Sequence, residues 1–512
     1  MVRRLQSRVL GRVATLAGAI ALSALVSLIM LPFTTRVLHA SDFGSYAILM
    51  SVVALVGAAF DGGASILLPA HYGPASTAER GSIFASLALF GLLGSGGAGL
   101  LFIGCWSWHH ALFVEQSGTL IIAITAALMP LRALTAIAMM SFTVTGRSFA
   151  ITTLVICQSV VILCSTLIAL FGFSLAGEAL FIGAGCGQLA AFAVCLVTLW
   201  QHRELSMPSR RWFRQALVNQ PSTALAGFMD GARSFGESLM LSNAAGLAAV
   251  GVLSHAKIYF SLLNMFTSAV GQNTWGRSLK DARDPRSSFD STARAWAPVQ
   301  VALGCAAIVF VFCGRELVDW ISNGKLTEAA DYVPIFFMIV LIQNSEQPVT
   351  AVVFASGRGA SAAWFRSLLA AATLVVLYPA TVCFGIKGLL VAAILESCAL
   401  RWYLRRLACW DRQVPFQDQV GAFGCLVIAM AMIYQHIAAP ALLAKIAAIA
   451  IGSAVIVVFG GRSVGQTFVA ARDLLSAPLD PPSGRGGESS RACGQRGYLI
   501  PRPPSGPHYR AE

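Results

Sequence analysis

Long apolar runs constrain the fold of this chain more than any other feature of its sequence. About fourteen runs approach the roughly 20 residues that a helix needs to cross a ~30 Å hydrocarbon core, and polar or Gly/Pro-rich gaps separate them. Of the 512 residues, 56% are hydrophobic and 12% are charged, which is too little charge to cover a soluble globule of this length. The sequence therefore predicts an all-α polytopic membrane protein. The approximate centres of the predicted helices are Leu22, Leu55, Gly94, Met129, Ile162, Leu189, Asp230, Ile258, Ile308, Val340, Thr373, Ile394, Ala429 and Ile451.

Basic residues are distributed unequally between the two sets of alternate gaps. The set that contains Arg80, Arg147 and Arg210 is rich in arginine, and the positive-inside rule places that set in the cytoplasm. Both termini are then predicted to be cytoplasmic. The net charge of +13 does not indicate nucleic-acid binding, because the arginines lie in short gaps and not on a folded basic face. The opposite set of gaps holds only Arg36, Arg315, Lys325, Lys387 and Lys445.

A short pattern that occurs twice, about 210 residues apart, indicates an internal duplication. The first copy is Thr145-Gly146-Arg147 and the second is Ser356-Gly357-Arg358, each followed by an apolar span. Phe43-Gly44-Ser45-Tyr46 pairs with Val250-Gly251-Val252-Leu253 at a similar offset. Carriers are commonly built from two related helical repeats whose interface holds the substrate. Each repeat has an even number of helices, six, so the two repeats are predicted to be parallel.

The repeats predict a division of the chain into five segments. The tail is predicted to be disordered from about residue 478, because a segment rich in Pro, Gly, Ser and Arg has too little apolar surface to fold. The segments are an N-terminal six-helix bundle over 1–200, a basic cytoplasmic linker over 201–220, a C-terminal six-helix bundle over 221–407, an extra helix pair over 408–462 and a cytoplasmic tail over 463–512.

Several short stretches in the first twelve helices carry a family resemblance. They are Leu31-Pro32-Phe33-Thr34-Thr35-Arg36-Val37-Leu38, Asp42-Phe43-Gly44-Ser45-Tyr46, the element around Gly251, Ala355-Ser356-Gly357-Arg358 and Phe384-Gly385-Ile386-Lys387-Gly388. In their order and spacing, the chain resembles the polysaccharide-export branch of the multidrug/oligosaccharidyl-lipid/polysaccharide flippase superfamily, which includes O-antigen and lipid II flippases.

The resemblance implies a fold, a function and partners. Such relatives fold as two six-helix bundles around a central cavity, and fourteen-helix members add a C-terminal pair. They move a polyprenyl-pyrophosphate-linked oligosaccharide from the inner to the outer leaflet of the bacterial inner membrane. The expected partners are therefore this lipid-linked oligosaccharide, membrane lipids and other polysaccharide-assembly proteins, in pathways such as lipopolysaccharide, O-antigen or exopolysaccharide synthesis.

Four basic residues are candidates for holding the pyrophosphate. An ionised side chain at the bilayer centre costs about 2.5–3.5 kcal/mol on insertion scales, so charges within spans need partners or a wet cavity. Arg132, Arg233 and Lys257 lie within predicted helices, and Arg36 lies at the outer end of the first helix. Two structural alternatives stay open. Arg233 is spaced to pair with Asp230 and Glu237 on its own helix, and Arg36 is placed to anchor at the membrane interface.

A second group of residues is expected to couple or gate the cycle. Pro348 follows a polar run in helix ten, where a missing backbone donor predicts a kink or break. Glu346 in the same run, Asp61 in helix two and Glu237 in helix seven are candidates for exchanging a proton or binding Na⁺. The structural alternative is a kinked helix whose polar groups bond to their neighbours. Glu178 and Glu396 are predicted to be interfacial. No cofactor and no metal site is expected, and the twelve cysteines show no ligand spacing.

Three other functions compete with the flippase. A cation-coupled multidrug or metabolite antiporter of the same superfamily is the nearest, and it would be expected to present carboxylates without competing cations. A membrane polysaccharide polymerase or glycosyltransferase needs a sizeable extramembrane region, whereas the outer gaps are short, so an enzyme is not expected. A scaffold that recruits biosynthetic enzymes through the basic loops is the third.

Overall fold

Helices account for the regular structure of this chain, and no strand occurs in the described part. The computed structural model describes residues 22–23, 25–60, 64–72, 75–108, 118–261, 267, 282, 290–344, 346–355, 358–409, 419–438 and 441–458. All of these residues belong to one compact unit, Met1–Gln466. Asp61 and the predicted tail over 463–512 lie outside the described residues.

The helices follow the order predicted from the apolar runs, and thirteen of the fourteen predicted centres lie in one of them, while Leu22 lies in a helical turn just before α1. Short π-helical turns, Leu68–Tyr72 and Ile168–Gly172, follow the second and fifth helices. We number the helices α1 (Leu25–Val37), α2 (Ala40–Ala59), α3 (Thr77–Trp108), α4 (Thr119–Val144), α5 (Ser148–Leu167), α6 (Glu178–Gln201), α7 (Arg210–Ala245), α8 (247–261), α9 (Asp290–Ser322), α10 (Ala329–Asn344 and Gln347–Ala355), α11 (359–384), α12 (386–409), α13 (Gln419–Ala438) and α14 (Leu442–Val458).

Nine helical stretches in the described part are long and apolar enough to cross a membrane, and three shorter apolar helices accompany them. Two of the nine, Gly227–Ser261 and Trp364–Ala408, are each divided by a glycine with a positive φ. Gly246 has φ 85° between α7 and α8, and Gly385 has φ 58° between α11 and α12. Residues with a Cβ rarely adopt a positive φ, whereas glycine does so readily. Glycine therefore allows the chain to change direction at these two positions. The nine stretches therefore supply eleven segments, and with the three shorter helices they give the fourteen that the sequence predicted.

The buried apolar core is distributed differently at the two ends of the bundle. We call the end formed by the last turn of α1 and the first turn of α2 the arginine-poor end, and the opposite one the arginine-rich end. At the arginine-poor end one cluster joins both halves of the chain, including Leu38, Phe43, Val250 and Ile321. At the arginine-rich end there are two smaller clusters, one around Phe142, which α7 joins through Trp212 and Ala216, and one around Val353, whose described members all come from the C-terminal half.

The start of α7 differs from the predicted linker. Residues 201–220 were expected to form a basic cytoplasmic linker before the next bundle, yet α7 begins within them at Arg210 and continues without interruption to Ala245. Trp212 and Ala216 are 5% and 0% exposed, and they pack into the N-terminal cluster around Phe142. Burial of this face explains why a polar, arginine-rich segment extends the helix beyond its apolar part.

Candidate functional site

Four ionisable side chains from three helices meet within the C-terminal half. Lys257 Nζ of α8 donates to Glu237 Oε2 of α7 at 3.1 Å. Arg233 Nε lies 3.2 Å from Glu237 Oε1, one helical turn away, and 2.9 Å from Glu396 Oε2 of α12. We call these four residues the membrane charge cluster. Two cations and two carboxylates leave it without net charge.

The cluster is only partly sealed from its surroundings. The Glu237 and Glu396 side chains are 9% and 10% exposed, whereas Arg233 and Lys257 are 24% and 35% exposed. Glu396 was expected to lie near a helix end, but the structure places it inside α12, where its carboxylate pairs with Arg233. Local sequence could not predict this pairing, since the partner lies on a helix more than 150 residues away. The pairing of Arg233 with Glu237 agrees with the predicted alternative, while Lys257 keeps a larger accessible surface.

Arg132 lies apart from the cluster, in the N-terminal half. It lines a pocket of about 270 Å³ between α2 and α4, whose other walls are small or apolar residues such as Gly57, Ala58 and Met140. Its aliphatic stem passes the space beside Gly57. Within the described ranges no carboxylate lies at ion-pair distance from this guanidinium. A cation placed in this way needs water or an anion to compensate its desolvation.

Arg36 lies at the arginine-poor end. Its side chain is exposed, and its backbone carbonyl accepts a hydrogen bond of 2.7 Å from Lys325 Nζ. This position at the end of α1 is compatible with both predicted roles, contact with the head group and anchoring at the interface. The four predicted cations thus occupy three places, since only Arg233 and Lys257 share one cluster.

Helix α10 is interrupted where the sequence predicted a break. Its first part ends at Asn344 and its second part begins at Gln347, so Pro348 is the second residue of a new helix. Proline is tolerated in a first helical turn, where its missing N–H has no intrahelical acceptor. Glu346 precedes this turn, is 7% exposed, and has an Oε1 with no hydrogen-bond partner in the described part of the chain.

The paired glycine elements of the two repeats contact each other at the arginine-poor end. A Cβ on Gly44 of α2 would overlap the carbonyl oxygen of Leu247, and a Cβ on Gly251 of α8 would overlap that of Ala40. Each glycine lies four residues after the residue whose carbonyl meets the other glycine. This reciprocal contact has the two-fold character expected of duplicated halves, and only glycine permits so close an approach.

Further contacts join the halves beside these glycines. The rings of Phe43 and His255 lie edge to face with centroids 5.9 Å apart, and His255 is fully buried and hydrogen-bonded to the Tyr259 hydroxyl at 3.0 Å. Thr35 Oγ1 of α1 donates to the carbonyl of Ile321 in α9 at 3.0 Å. These contacts close the arginine-poor end along α1–α9 and α2–α8.

The duplicated Thr/Ser-Gly-Arg motif has a structural role at the arginine-rich end. In the first copy Arg147 makes two bonds to the Glu204 carboxylate, of 2.6 and 2.5 Å. Tyr72 donates to the same carboxylate at 2.9 Å, and Arg80 lies 3.7 Å from it. We call these four residues the loop clamp. In the second copy Arg358 donates to the carbonyl of Leu407 at 3.0 Å. Both arginines therefore fasten the loop after the fourth helix of a bundle to the end of the sixth.

The clamp sets the charge state of Glu204. Burial alone would raise its pKa, but the bonds from Arg147 and Tyr72 and the charges of Arg147 and Arg80 lower the pKa below its ordinary value of 4.5. Glu204 was not singled out from the sequence, because Arg80 and Arg147 were interpreted as topology signals only. Within the described residues, no group of three His, Cys, Asp or Glu side chains is arranged to hold a metal ion, and the cysteines are free thiols.

Comparison with solved structures identifies the architecture. No protein-family model matches the sequence, and no curated protein matches it. The structure matches the lipid II flippase MurJ in an inward closed conformation with a TM-score of 0.66 and 14% identity, over 90% of this chain and 99% of that one. The chain has the fold of MOP-superfamily transporters.

Antiporter structures share this fold at lower similarity. An inward-facing multidrug resistance MATE transporter of the MOP superfamily gives a TM-score of 0.58 at 10% identity, over 80% of this chain and 95% of that one. The eukaryotic MATE transporter AtDTX14 gives 0.53 at 16% identity, over 82% and 99%. These neighbours are all transporters, none is an enzyme, and the match supports a multi-pass membrane protein.

Proposed function

We propose that this chain is a flippase of the bacterial inner membrane. It moves a polyprenyl-pyrophosphate-linked oligosaccharide, or a related polysaccharide precursor, from the inner to the outer leaflet by alternating access. Both termini are cytoplasmic in this proposal, so the arginine-rich end faces the cytoplasm. The O-antigen and exopolysaccharide pathways are the expected settings, with other assembly proteins of these pathways as partners.

The observation that carries the proposal is the unequal core. The halves share one large apolar cluster at the arginine-poor end. At the arginine-rich end they share much less, since the cluster around Phe142 includes only Trp212 and Ala216 from the C-terminal half, and the cluster around Val353 contains no described residue of the N-terminal half. Halves whose shared core lies mainly at one end can rock about that end, which is the motion of parallel-repeat carriers. The contact of Gly44 and Gly251 is then the outer closure, and opening it exposes the substrate to the outer leaflet.

The cations favour an anionic head group. Arg132 faces a pocket without a carboxylate partner within the described ranges, and Lys257 keeps 35% of its side chain exposed beside Glu237. A pyrophosphate accepts hydrogen bonds from both, while its polyprenyl tail stays in the bilayer. Arg233 supports Glu237, and Arg36 meets the head group at the outer end as it leaves.

Coupling in this proposal depends on buried carboxylates. Glu346 lies at the break of α10 with an unbonded Oε1, which suits proton exchange, and Pro348 lies in the first turn of the helix that moves about this break. Glu237, and Asp61 outside the described residues, are further candidates. The driving ion is H⁺ or Na⁺.

One observation favours a cation-coupled antiporter as the second candidate. The carboxylates of Glu237 and Glu396 neutralise Arg233 and Lys257, so the C-terminal half presents no net positive charge in the membrane cluster. A substrate cation could then displace Lys257 from Glu237. This reading predicts drug efflux and no effect on lipid-linked saccharides.

Deletion of the gene tests the proposal. We expect lipid-linked saccharide to accumulate on the cytoplasmic leaflet, with rescue by wild type and by Lys445→Gln, whose partner Glu316 is exposed. Lys257→Gln and Arg132→Gln should rescue poorly at normal protein level. A normal precursor distribution in the deletion strain would contradict the flippase and favour antiport or scaffolding.

A further inference from the structure

A large basic cavity lies outside the sites described above. It has a volume of about 820 Å³ and opens between the π-helical turn after α2 and the first turns of α7. It is lined by Leu67, His71, Arg210, Arg211, Arg214, Gln215 and Val218. The helices that form it pack tightly farther along, where a Cβ on Gly231 would overlap Leu55. The cavity is therefore the space left between α2 and α7 at the arginine-rich end.

The charges in this cavity are of one sign. Arg210, Arg211 and Arg214 are exposed, the lining contains no carboxylate, and no ion pair joins these three to any described acidic residue. Arg210 and Arg214 are four residues apart on one face of α7, where like charges repel. All three occupy the first turns of α7, where the helix dipole favours anions. The arrangement is unfavourable for the empty protein, and a bound anion would relieve both effects.

The start of α7, which carries the arginines, is fixed by contacts to its neighbours. Trp212 is 5% exposed and packs against the ring of His71 with centroids 5.2 Å apart. The guanidinium of Arg211 lies 4.9 Å over the same indole. The backbone N–H of Ser209 donates to Ser86 Oγ at 2.8 Å, and this bond fixes the start of α7 to α3. Three guanidinium groups on one fixed helix start supply several donors, which suits the oxygens of a phosphate group.

The polarity of the cavity changes along α7. Its arginines lie at the start of the helix, whereas Val218, one turn after Arg214, is 72% exposed and its neighbour Leu217 is 52% exposed. Exposed apolar side chains next to arginines are typical of the membrane interface. A ligand that fills the cavity therefore has an anionic head beside the arginines and an apolar chain beside Val218.

We propose that this cavity binds the phosphate head group of an anionic lipid from the leaflet at the arginine-rich end. Arg210, Arg211 and Arg214 contact the phosphate, and Leu67 and Val218 contact the first part of the lipid chain. The site is separate from Arg132 and from the membrane charge cluster. It does not require the chain to be a flippase, so its test is a binding measurement without transport.

Native mass spectrometry of the full-length protein in neutral detergent tests the site. The probes are phosphatidylglycerol, phosphatidylcholine with the same acyl chains, and inorganic phosphate. We expect wild type to bind one phosphatidylglycerol in preference to phosphatidylcholine. The variant R210Q/R214Q should bind it about thirtyfold more weakly, the effect of about two basic residues at an anionic surface.

Matched variants separate this site from general surface charge. Arg211 and Arg406 are both exposed arginines stacked on a tryptophan, over Trp212 at 4.9 Å and over Trp402 at 5.5 Å. We expect R211Q to weaken phosphatidylglycerol binding and R406Q to leave it unchanged.

Without lipid, R210Q/R214Q should be at least as thermally stable as wild type, because it loses only repulsive charges. A structural role of these arginines would lower the stability of the variant.

Three results would overturn the proposal. The first is equal phosphatidylglycerol affinity of wild type and R210Q/R214Q. The second is an equal loss of affinity in R211Q and R406Q, which would indicate non-specific charge. The third is displacement of phosphatidylglycerol by an equal concentration of inorganic phosphate, which would assign the cavity to a free anion and not to a lipid.

Discussion

The loop clamp and the membrane charge cluster both place carboxylates between cations, yet they differ in what the cations can reach. In the clamp, Glu204 is 1% exposed and its oxygens accept bonds from Arg147 and Tyr72. In the membrane cluster, the carboxylates are similarly buried, but Lys257 makes one bond to Glu237 and keeps 35% of its side chain accessible. The clamp is therefore satisfied internally, whereas the cluster retains a cation with surface available to a ligand.

The comparison predicts which charges are structural and which are functional. A buried ion pair whose donors and acceptors are all satisfied fixes the geometry, and breaking it strands the partner. A partly accessible pair can exchange one partner for a ligand at a small cost in stability. We therefore expect changes in the clamp to affect stability, and changes in the cluster to affect transport.

The largest expected effect follows from breaking the clamp. Glu204→Gln leaves Arg147 buried without its counter-charge, so the free energy of unfolding should fall by about 3–5 kcal/mol. Thermal and denaturant unfolding in one detergent measure this change. Glu79→Gln, at an exposed position in the first turn of α3, is the matched control and should change little. Equal stability of the two variants would remove the distinction between clamp and cluster.

Acid should remove the contribution of the clamp. The pKa of Glu204 is below its ordinary value of 4.5, so its stabilising effect is complete above that value and is lost as pH falls through the lower, folded-state pKa. The stability difference between wild type and Glu204→Gln should be constant near neutral pH and shrink only below about pH 4. A difference that already shrinks near neutral pH would contradict the lowered pKa.

The membrane cluster is tested by removing charges singly and together. Lys257→Gln should reduce transport at least about tenfold while changing the free energy of unfolding by less than about 1 kcal/mol. If Lys257 contacts the substrate, Glu237→Gln/Lys257→Gln stays inactive, because restored neutrality does not replace the cation. Recovery of transport in the double variant would show that Lys257 only neutralises Glu237.

The smallest expected change is a displacement at the closure made by Gly44 and Gly251. Gly251→Ala should displace α8 from Ala40 and lengthen the distance between spin labels on α1 and α9 by several ångströms. The same substitution at Gly97, where a Cβ would meet no atom within 4 Å, is the control. An unchanged distance distribution in Gly251→Ala would mean that the glycine contact does not hold this end closed.

Much of the fold followed from the sequence because each span contains its own signal. The apolar runs predicted the fourteen segments. The sequence also paired Gly44 with Gly251 as equivalent positions of the two repeats, and in the structure these glycines make a reciprocal contact. Pro348 predicted the break in α10. In the structure this residue lies in the first turn of a new helix and does not bend a continuous one. The extension of α7 to Arg210 was missed, since its burial depends on Trp212 meeting another helix.

The charge pairings could be predicted only where both partners lie on one helix. Arg233 and Glu237 are four residues apart, so helical periodicity relates them. Glu396 and Glu204 find their partners on distant segments, and composition gives no signal for either contact. The roles predicted for Arg36, Arg132, Lys257 and Glu346 stay predictions that depend on transport measurements.

Movement of a lipid-linked saccharide in proteoliposomes tests the central claim most directly. The purified protein is reconstituted with a polyprenyl-pyrophosphate-linked oligosaccharide, and a glycosidase outside the vesicles reports which leaflet holds the sugar. We predict that wild type and Lys445→Gln make the inner pool accessible, and that Lys257→Gln does so at least about tenfold more slowly. An inner pool that stays protected with wild-type protein, at a rate equal to that of empty vesicles, would contradict the account.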